Sequence, residues 1–358
     1  MILSIFIVSI LIFCIYGFSY FFKIFILGKN VKLEIIDFVY GLFSLVFLSI
    51  FLNFFFKIEL IAYFVILIGN VCFILAYFKK KIDFSILKLF LILIFFLLIS
   101  SDNSPIGDTN FYHLQAIKWI SSSKISFGLV NLEERLGYST IWPNLLAITN
   151  IKIFQSNFYY LFNISIYTIF YNYIFNLKIK NYGNIILVLG SIFILFYSLI
   201  HPDKNGSILN YLGSIEYDYI NFLFFLISIS LFFEITEEEK IHNQQKLNKV
   251  LLLSSLITII FLIKINYLPT VIIFIYIFFK FRKKLTNINT LYFFNSILIF
   301  MYFIKNFIIS GCLVFPIKLT CLNTQWSLSE NKFEEFLNLA RAFPRALGNQ
   351  NIENYYQK

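Results

Sequence analysis

Residues 2–27 read ILSIFIVSILIFCIYGFSYFFKIFIL, a run in which Lys23 is the sole charged side chain. A helix rises about 1.5 Å per residue, so about 20 such residues cross the hydrocarbon layer of a bilayer. No basic n-region precedes the run and no small-residue cleavage site follows it, so it reads as a retained span and not a signal peptide. The same unit recurs at 35–56, 60–78, 84–100, 157–177, 184–200, 217–235, 250–264, 265–281 and 290–309. The chain is therefore expected to be an all-α, polytopic transmembrane helical bundle of about ten spans. No short-period repeat and no Pro/Gly-rich linker divides it, so residues 1–358 are read as a single membrane domain.

Composition supports this reading. Of 358 residues, 59% are apolar, 21% aromatic and 13% charged, whereas soluble domains average about 45–50% apolar and about 25% charged. Too few polar side chains remain to cover a soluble surface. The excess of 29 Lys and Arg over 19 Asp and Glu, a net +10, suits loops facing anionic lipid and needs no nucleic-acid partner. Three scattered His residues and the lack of Cys-x-x-Cys leave no transition-metal site, and no phosphate-binding or dinucleotide loop is present. The bias toward Ile, Phe, Asn and Lys is that of an AT-rich genome, so single Phe, Tyr and Asn residues carry little weight.

Basic clusters set the orientation. Lys79, Lys80 and Lys81 form one, and Lys280, Arg282, Lys283 and Lys284 another; both are expected in the cytoplasm. An even number of crossings must separate them. The spans from 84–100 to 265–281 satisfy that parity if 138–154 is a half-inserted or interfacial helix, beginning at Trp142-Pro143. The alternative joins 250–281 into one span and lets 138–154 cross, but it puts Lys178 and Lys180 outside. The first arrangement leaves 101–156, 201–216 and 310–358 outside the cell membrane.

The first of these outer segments holds Ser101-Asp102-Asn103-Ser104-Pro105-Ile106-Gly107-Asp108-Thr109-Asn110-Phe111-Tyr112-His113. Pro105 and Gly107 end the preceding span. Asp108 stands where a helix begins, its carboxylate toward free backbone N–H groups. From Thr109 to Ser123, Phe111, Leu114, Ile117 and Ile120 recur at helical spacing with Trp119 as an interface anchor, which predicts an amphipathic juxtamembrane helix. A carboxylate fixed there can meet a lipid-linked substrate. The plain alternatives are that Asp108 is only a cap and His113 only a hydrogen-bonded surface histidine.

The residues Asp108-Thr109-x-x-Tyr112-His113-Leu114-Gln115-Ala116-Ile117-Lys118-Trp119-Ile120, followed by Gly128-Leu129-x-Asn131-Leu132-x-x-Arg135-Leu136-Gly137-Tyr138, resemble a group of bacterial membrane proteins similar to GT-C glycosyltransferases. Ile263-Lys264-Ile265-Asn266-Tyr267-Leu268-Pro269 and Ser310-Gly311-Cys312-Leu313-Val314-Phe315-Pro316, with Trp326, resemble the same group. The likeness touches most of residues 84–330. It implies accessory spans over 1–83, a GT-C-like core over 84–310 and an outer C-terminal segment over 311–358. The resembling proteins continue into further spans, whereas this chain stops at Lys358.

The resemblance also implies an activity: an inverting glycosyltransferase in the bacterial cytoplasmic membrane, moving a sugar from a polyprenyl-phosphate-linked donor to a glycan, lipid or protein acceptor. Such enzymes carry an acidic residue in the first outer loop, here Asp108, with His113 beside it as a second catalytic candidate. They carry a second acidic motif in the next outer loop, which here ends in Glu216-Tyr217-Asp218. A solvated loop edge at a helix start is the alternative reading of that motif. The reaction needs a base for the acceptor hydroxyl and positive charge for the leaving phosphate. Arg135, Lys264 and Lys118 are the cation candidates. A divalent cation, Mg or Mn, held by Asp108, Glu216 and Asp218, is another source of charge. Lys264 lies between apolar stretches, so it is expected to reach a phosphate, a carboxylate or, by snorkelling, the surface.

Two other classes remain in view. An O-antigen polymerase or ligase usually relies on Arg-rich outer loops, and Arg135 is the one Arg of the first loop here. A transporter or flippase would place ionisable residues near the midplane. Cys14 and Cys72 read as small core residues. Cys312 and Cys321 share an outer segment and could form a disulfide in an oxidising periplasm, but neither spacing nor count demands a bridge, so free thiols are the first expectation. Phe333 to Phe343 forms one more amphipathic piece, with Phe333, Phe336, Leu337 and Ala340 on a face.

Overall fold

The computed structural model describes residues 1–28, 31–100, 112–138, 140–153, 156–179, 181–200, 212–237, 243–281 and 288–346. The helices are α1 (Ile2–Leu27), α2 (Phe38–Phe55), α3 (Ile58–Phe78), α4 (Ile86–Ile99), α5 (Leu114–Ser122), α6 (Trp142–Ile148) and α7 (Tyr160–Asn176). They continue with α8 (Tyr182–Ile200), α9 (Asp218–Glu237), α10 (Asn243–Ile263), α11 (Thr270–Phe281), α12 (Ile288–Ser310) and α13 (Glu330–Ala346). A small antiparallel hairpin pairs Lys152–Ile153 with Ser156–Asn157.

Seven of these helical stretches are long and apolar enough to cross a membrane: Ile2–Leu27, Ile35–Phe55, Ile58–Phe78, Tyr182–Ile200, Asp218–Glu237, Gln245–Ile263 and Tyr292–Ser310. Ile86–Ile99 and Thr270–Lys280 are shorter apolar helices. The protein is a membrane-embedded, all-α polytopic bundle. It divides into two compact units: Met1–Lys124 with Thr140–Met301, and Ile125–Ser139 with Tyr302–Lys358.

In the first unit α1 packs between α2 and α3. Small residues permit this, since a Cβ on Gly17 would overlap the Gly69 carbonyl and one on Gly41 the Ile15 carbonyl. In lipid, where tails are as apolar as the side chains, such close backbone approach is a main source of helix association. Lys23 and Asp37 close the α1–α2 turn as a buried ion pair 2.6 Å long. Lys23 also donates to the Lys32 carbonyl at 2.7 Å. The following strand-like segment is bonded to the α3–α4 connection, Leu33 N–H to Lys81 O at 2.7 Å and Asp83 N–H to Leu33 O at 2.9 Å. The turn after α1 and the Lys79–Lys81 cluster thus share one end of the unit.

The opposite end is tied by other bonds. Asn53, near the end of α2, donates to the carbonyls of Ile120 and Ser123 at 3.2 and 3.0 Å. Tyr63, early in α3, donates to Lys152 O at 2.9 Å. The 138–154 stretch, expected as a half-inserted or interfacial helix, packs at this end. Its helix does begin at Trp142-Pro143, but α6 is seven residues long and every one of them is buried. It packs against α2, α3 and α5. At about 1.5 Å per residue it is far too short to span, and its apolar character is spent on protein contact and not on lipid. The chain does break inside 250–281: α10 ends at Ile263, Lys264 is extended, and α11 starts one residue after Pro269.

The amphipathic helix of the first loop is observed as α5, preceded by a π-type turn at Tyr112–His113. Ile117 is buried and Trp119 exposed, as its pattern requires. Residues 109–111 lie outside the described residues.

The second unit has its own small core of Val130, Cys312, Phe315, Leu328, Phe333 and Phe336, with Tyr138 and Leu337 packed on it. Gly128 takes a left-handed conformation, φ 68°, and a Cβ there would press on Trp326. Asn131 then donates to Trp326 O at 2.7 Å. The free-thiol expectation fails: Cys312 and Cys321 form a disulfide. The reason is local pairing that the spacing does not reveal. Leu313 N–H bonds Thr320 O at 3.0 Å and Leu322 N–H bonds Gly311 O at 2.9 Å, which sets the two cysteines opposite each other in an antiparallel bridge. In α13, Phe333 and Phe336 are buried, as the amphipathic face of that segment implied.

Candidate functional site

Two pairs of the sequence-derived residues meet at the end of the first unit away from Lys79–Lys81. Glu216 lies two residues before α9, whose first residue is Asp218, while His113 immediately precedes α5. The His113 Nε2 stands 3.1 Å from Glu216 Oε2, with the side chains 5% and 10% exposed. Either group alone would pay heavily for leaving water. Together each supplies the partner that the other needs.

The surroundings hold this pair rigidly. Asn163, in the first turn of α7, donates to the Glu216 carbonyl at 2.6 Å. The Glu216 N–H donates to Ser214 Oγ at 3.2 Å. The imidazole lies against the Tyr112 ring, centroids 4.0 Å apart, and meets Tyr217 edge-on at 5.4 Å and 89°. Tyr217 in turn packs on the fully buried Trp142, 6.5 Å between centroids.

The second pair is open. Lys264 Nζ donates to Asp218 Oδ1 at 2.8 Å, with the side chains 36% and 53% exposed. Of the destinations open to Lys264, a carboxylate is the one observed. The helix break at Lys264 creates the geometry, because antiparallel α10 and α9 bring the end of one beside the start of the other. Tyr267, in the turn that follows, packs on Phe225 at 5.6 Å. Burial, and then the nearby Asp218 carboxylate, pushes its phenol above the usual tyrosine range. Glu216 and Asp218 are thus divided: one faces inward to an imidazole, the other outward to an ammonium.

Other candidates stand elsewhere. Lys118 is exposed on α5, five residues beyond His113 and about 140° around a helix from it. Arg135 belongs to the second unit and lies 3.9 Å from Glu133, both partly exposed. Asp108, Asp102, Arg282, Lys283 and Lys284 lie outside the described residues. Among the described residues no group of three or more His, Cys, Asp or Glu comes together as a metal site. Glu216 is engaged by His113 and Asp218 by Lys264, while Asp108, the third carboxylate of the expected cation site, lies outside the described residues.

Sequence reasoning missed Tyr112, Trp142, Asn163 and Tyr217. The available signal was Asn163, with Asn221 one turn into α9. Polar side chains in apolar helices are costly unless paired, and the compositional discount on Asn hid them. Asn221 donates to Ile260 O at 3.4 Å. The buried Trp142 Nε1 and Asn221 Oδ1 find no hydrogen-bond partner among the described residues, so this polar core is not saturated.

The profile of a family described as a domain of unknown function (DUF8201) matches residues 1–357. No curated protein and no solved structure matches the chain.

Proposed function

We propose that this chain, which belongs to the DUF8201 family, is a membrane glycosyltransferase of GT-C type. It would move a sugar from a polyprenyl-phosphate-linked donor to a hydroxyl of an envelope glycan, lipid or protein, at the outer face of a bacterial cytoplasmic membrane. The observation that carries the reading is the pairing of a buried His113–Glu216 couple with an open Asp218–Lys264 couple at one end of the bundle.

The roles follow from burial. His113 and Glu216 are withdrawn from solvent, so they anchor the end of the first loop. Asp108 is five residues from His113, a tether of at most about 18 Å, and takes the proton from the acceptor hydroxyl. The freed oxygen attacks the anomeric carbon as the bond to the phosphate oxygen breaks, and polyprenyl phosphate leaves with the electron pair. Lys264, aimed by Asp218 and accessible, meets the growing phosphate charge. No step is routed through a metal.

Two further observations support the outer placement. Disulfides persist in oxidising compartments, and the 310–358 segment contains one. The site lies at the end opposite the basic Lys79–Lys81 cluster, which the positive-inside rule keeps in the cytoplasm.

The test is transfer of labelled sugar from polyprenyl phosphate by the purified protein in lipid vesicles. Asp108→Asn is expected to abolish transfer while the protein is produced and unfolds normally. Undiminished transfer by that variant would end the reading. Movement of the lipid-linked sugar across the vesicle with no new glycosidic bond would replace it with a flippase.

A further inference from the structure

The loop closed by the Cys312–Cys321 disulfide is two-faced. Val314 and Phe315 point inward, 7% and 2% exposed, and Phe315 packs on Phe333 and Phe336. Leu313, Ile317, Leu319 and Leu322 point outward, at 45%, 43%, 99% and 62% exposure. Single exposed hydrophobics are ordinary on protein surfaces, but four on one short, cross-linked loop form a patch that calls for a partner.

The position of the loop identifies that partner. The candidate span Tyr292–Ser310 ends one residue before Gly311. Gly311 O then accepts from Leu322 N–H at 2.9 Å, so both ends of the loop are fastened to the end of the span. Within the loop the chain folds back, Ile317 N–H to Val314 O at 2.8 Å and Thr320 N–H to Ile317 O at 2.9 Å. Its tip cannot travel far from the bilayer surface, where the interfacial layer is about 5–7 Å deep on each side. Lys318, the cation of the tip, is committed to Glu330 and Glu334 at 3.1 and 2.7 Å. Its charge is therefore paired with carboxylates of α13.

We infer that this disulfide-closed loop seats Leu313, Ile317, Leu319 and Leu322 in the interfacial layer of the same bilayer that α12 enters, making it a lipid contact of the second unit. The inference rests on the membrane-embedded fold and is independent of the glycosyltransferase reading.

The experiment uses the full chain carrying Leu319→Trp, reconstituted in phosphatidylcholine vesicles, with the emission of the unsubstituted protein subtracted. Position 319 is exposed, so the substitution disturbs no core; Leu322→Trp is a second reporter should the first be poorly produced. The added emission is expected to be blue-shifted. It should lose most of its intensity to phosphatidylcholine spin-labelled near the headgroup end of its chains, and little to aqueous iodide. Full quenching by iodide with none by the spin-labelled lipid would overturn the inference. Quenching by the labelled lipid that disappears as the protein-to-lipid ratio rises would also overturn it, since a second copy of the chain would then be the partner.

Discussion

His113 Nε2 and Glu216 Oε2 stand 3.1 Å apart in the interior, although α5, α6, α7 and α8 intervene between them in the chain. The contact fastens the end of the first loop to the start of α9 through one polar bond. Its worth depends on what remains when one partner is removed.

Replacing Glu216 by Leu leaves a buried imidazole without its acceptor, which costs about 1–3 kcal/mol. Glu216→Gln retains a hydrogen-bonding group and is expected to cost less. Chemical unfolding in detergent should rank the variants wild type, Gln, Leu. Equal stability of all three would show that the bond contributes nothing.

The Asp218–Lys264 pair should behave in the opposite way. Both side chains are well exposed, and exposed pairs contribute about 0–1 kcal/mol. Lys264→Met is therefore expected to leave unfolding almost unchanged while lowering kcat for transfer from a phosphate-linked donor. Loss of folding without a kinetic effect would assign the lysine to structure alone.

Lys23 and Asp37 provide a contrast, since both are fully withdrawn from solvent. Asp37→Asn strands the ammonium and should cost about 3–5 kcal/mol. The double variant Lys23→Met, Asp37→Leu removes both charges and should recover most of that loss. A double variant no better than the single one would mean that the other bonds lost with these side chains, Lys23 to Lys32 O and Glu34 N–H to Asp37, dominate.

Gly17 and Gly28 test two separate reasons for glycine. A Cβ at Gly17 would overlap the Gly69 backbone, so Gly17→Ala forces α1 from α3 and should cost about 1–3 kcal/mol by overpacking. Gly28 has open space around it but sits at φ 92°, so Gly28→Ala carries backbone strain of about 1–3 kcal/mol. Only the Gly17 variant should weaken helix packing measured by cross-linking α1 to α3.

Exchange of Cys312 and Cys321 for Ser should cost about 2–3 kcal/mol for a loop of this length, and should expose 313–320 to protease. In intact cells a membrane-impermeant thiol reagent should label these cysteines only after an external reductant is added. Labelling without reductant would place the segment in a reducing compartment.

The membrane bundle was legible in the sequence because hydrophobic length is a local property. The runs at 2–27, 184–200 and 217–235 match α1, α8 and α9 to within a few residues. The break at Lys264 was legible too, through the Lys264 charge and Pro269. What escaped was pairing across distance. Asn163 was dismissed as compositional noise, yet it holds the Glu216 carbonyl. Cys312 and Cys321 were expected to be free, because a bridge between them depends on backbone bonds that carry no compositional mark.

By itself the sequence determined the solvent of this protein, because about 20 apolar residues in a row have no other stable environment. It also determined which scarce charged residues deserved chemical scrutiny. Only the tertiary structure decided their partners: Glu216 inward to His113, Asp218 outward to Lys264, and α6 buried against α2, α3 and α5. Hydrophobicity is additive along a chain, whereas a hydrogen bond between distant residues exists only once helices have packed and fixed both ends.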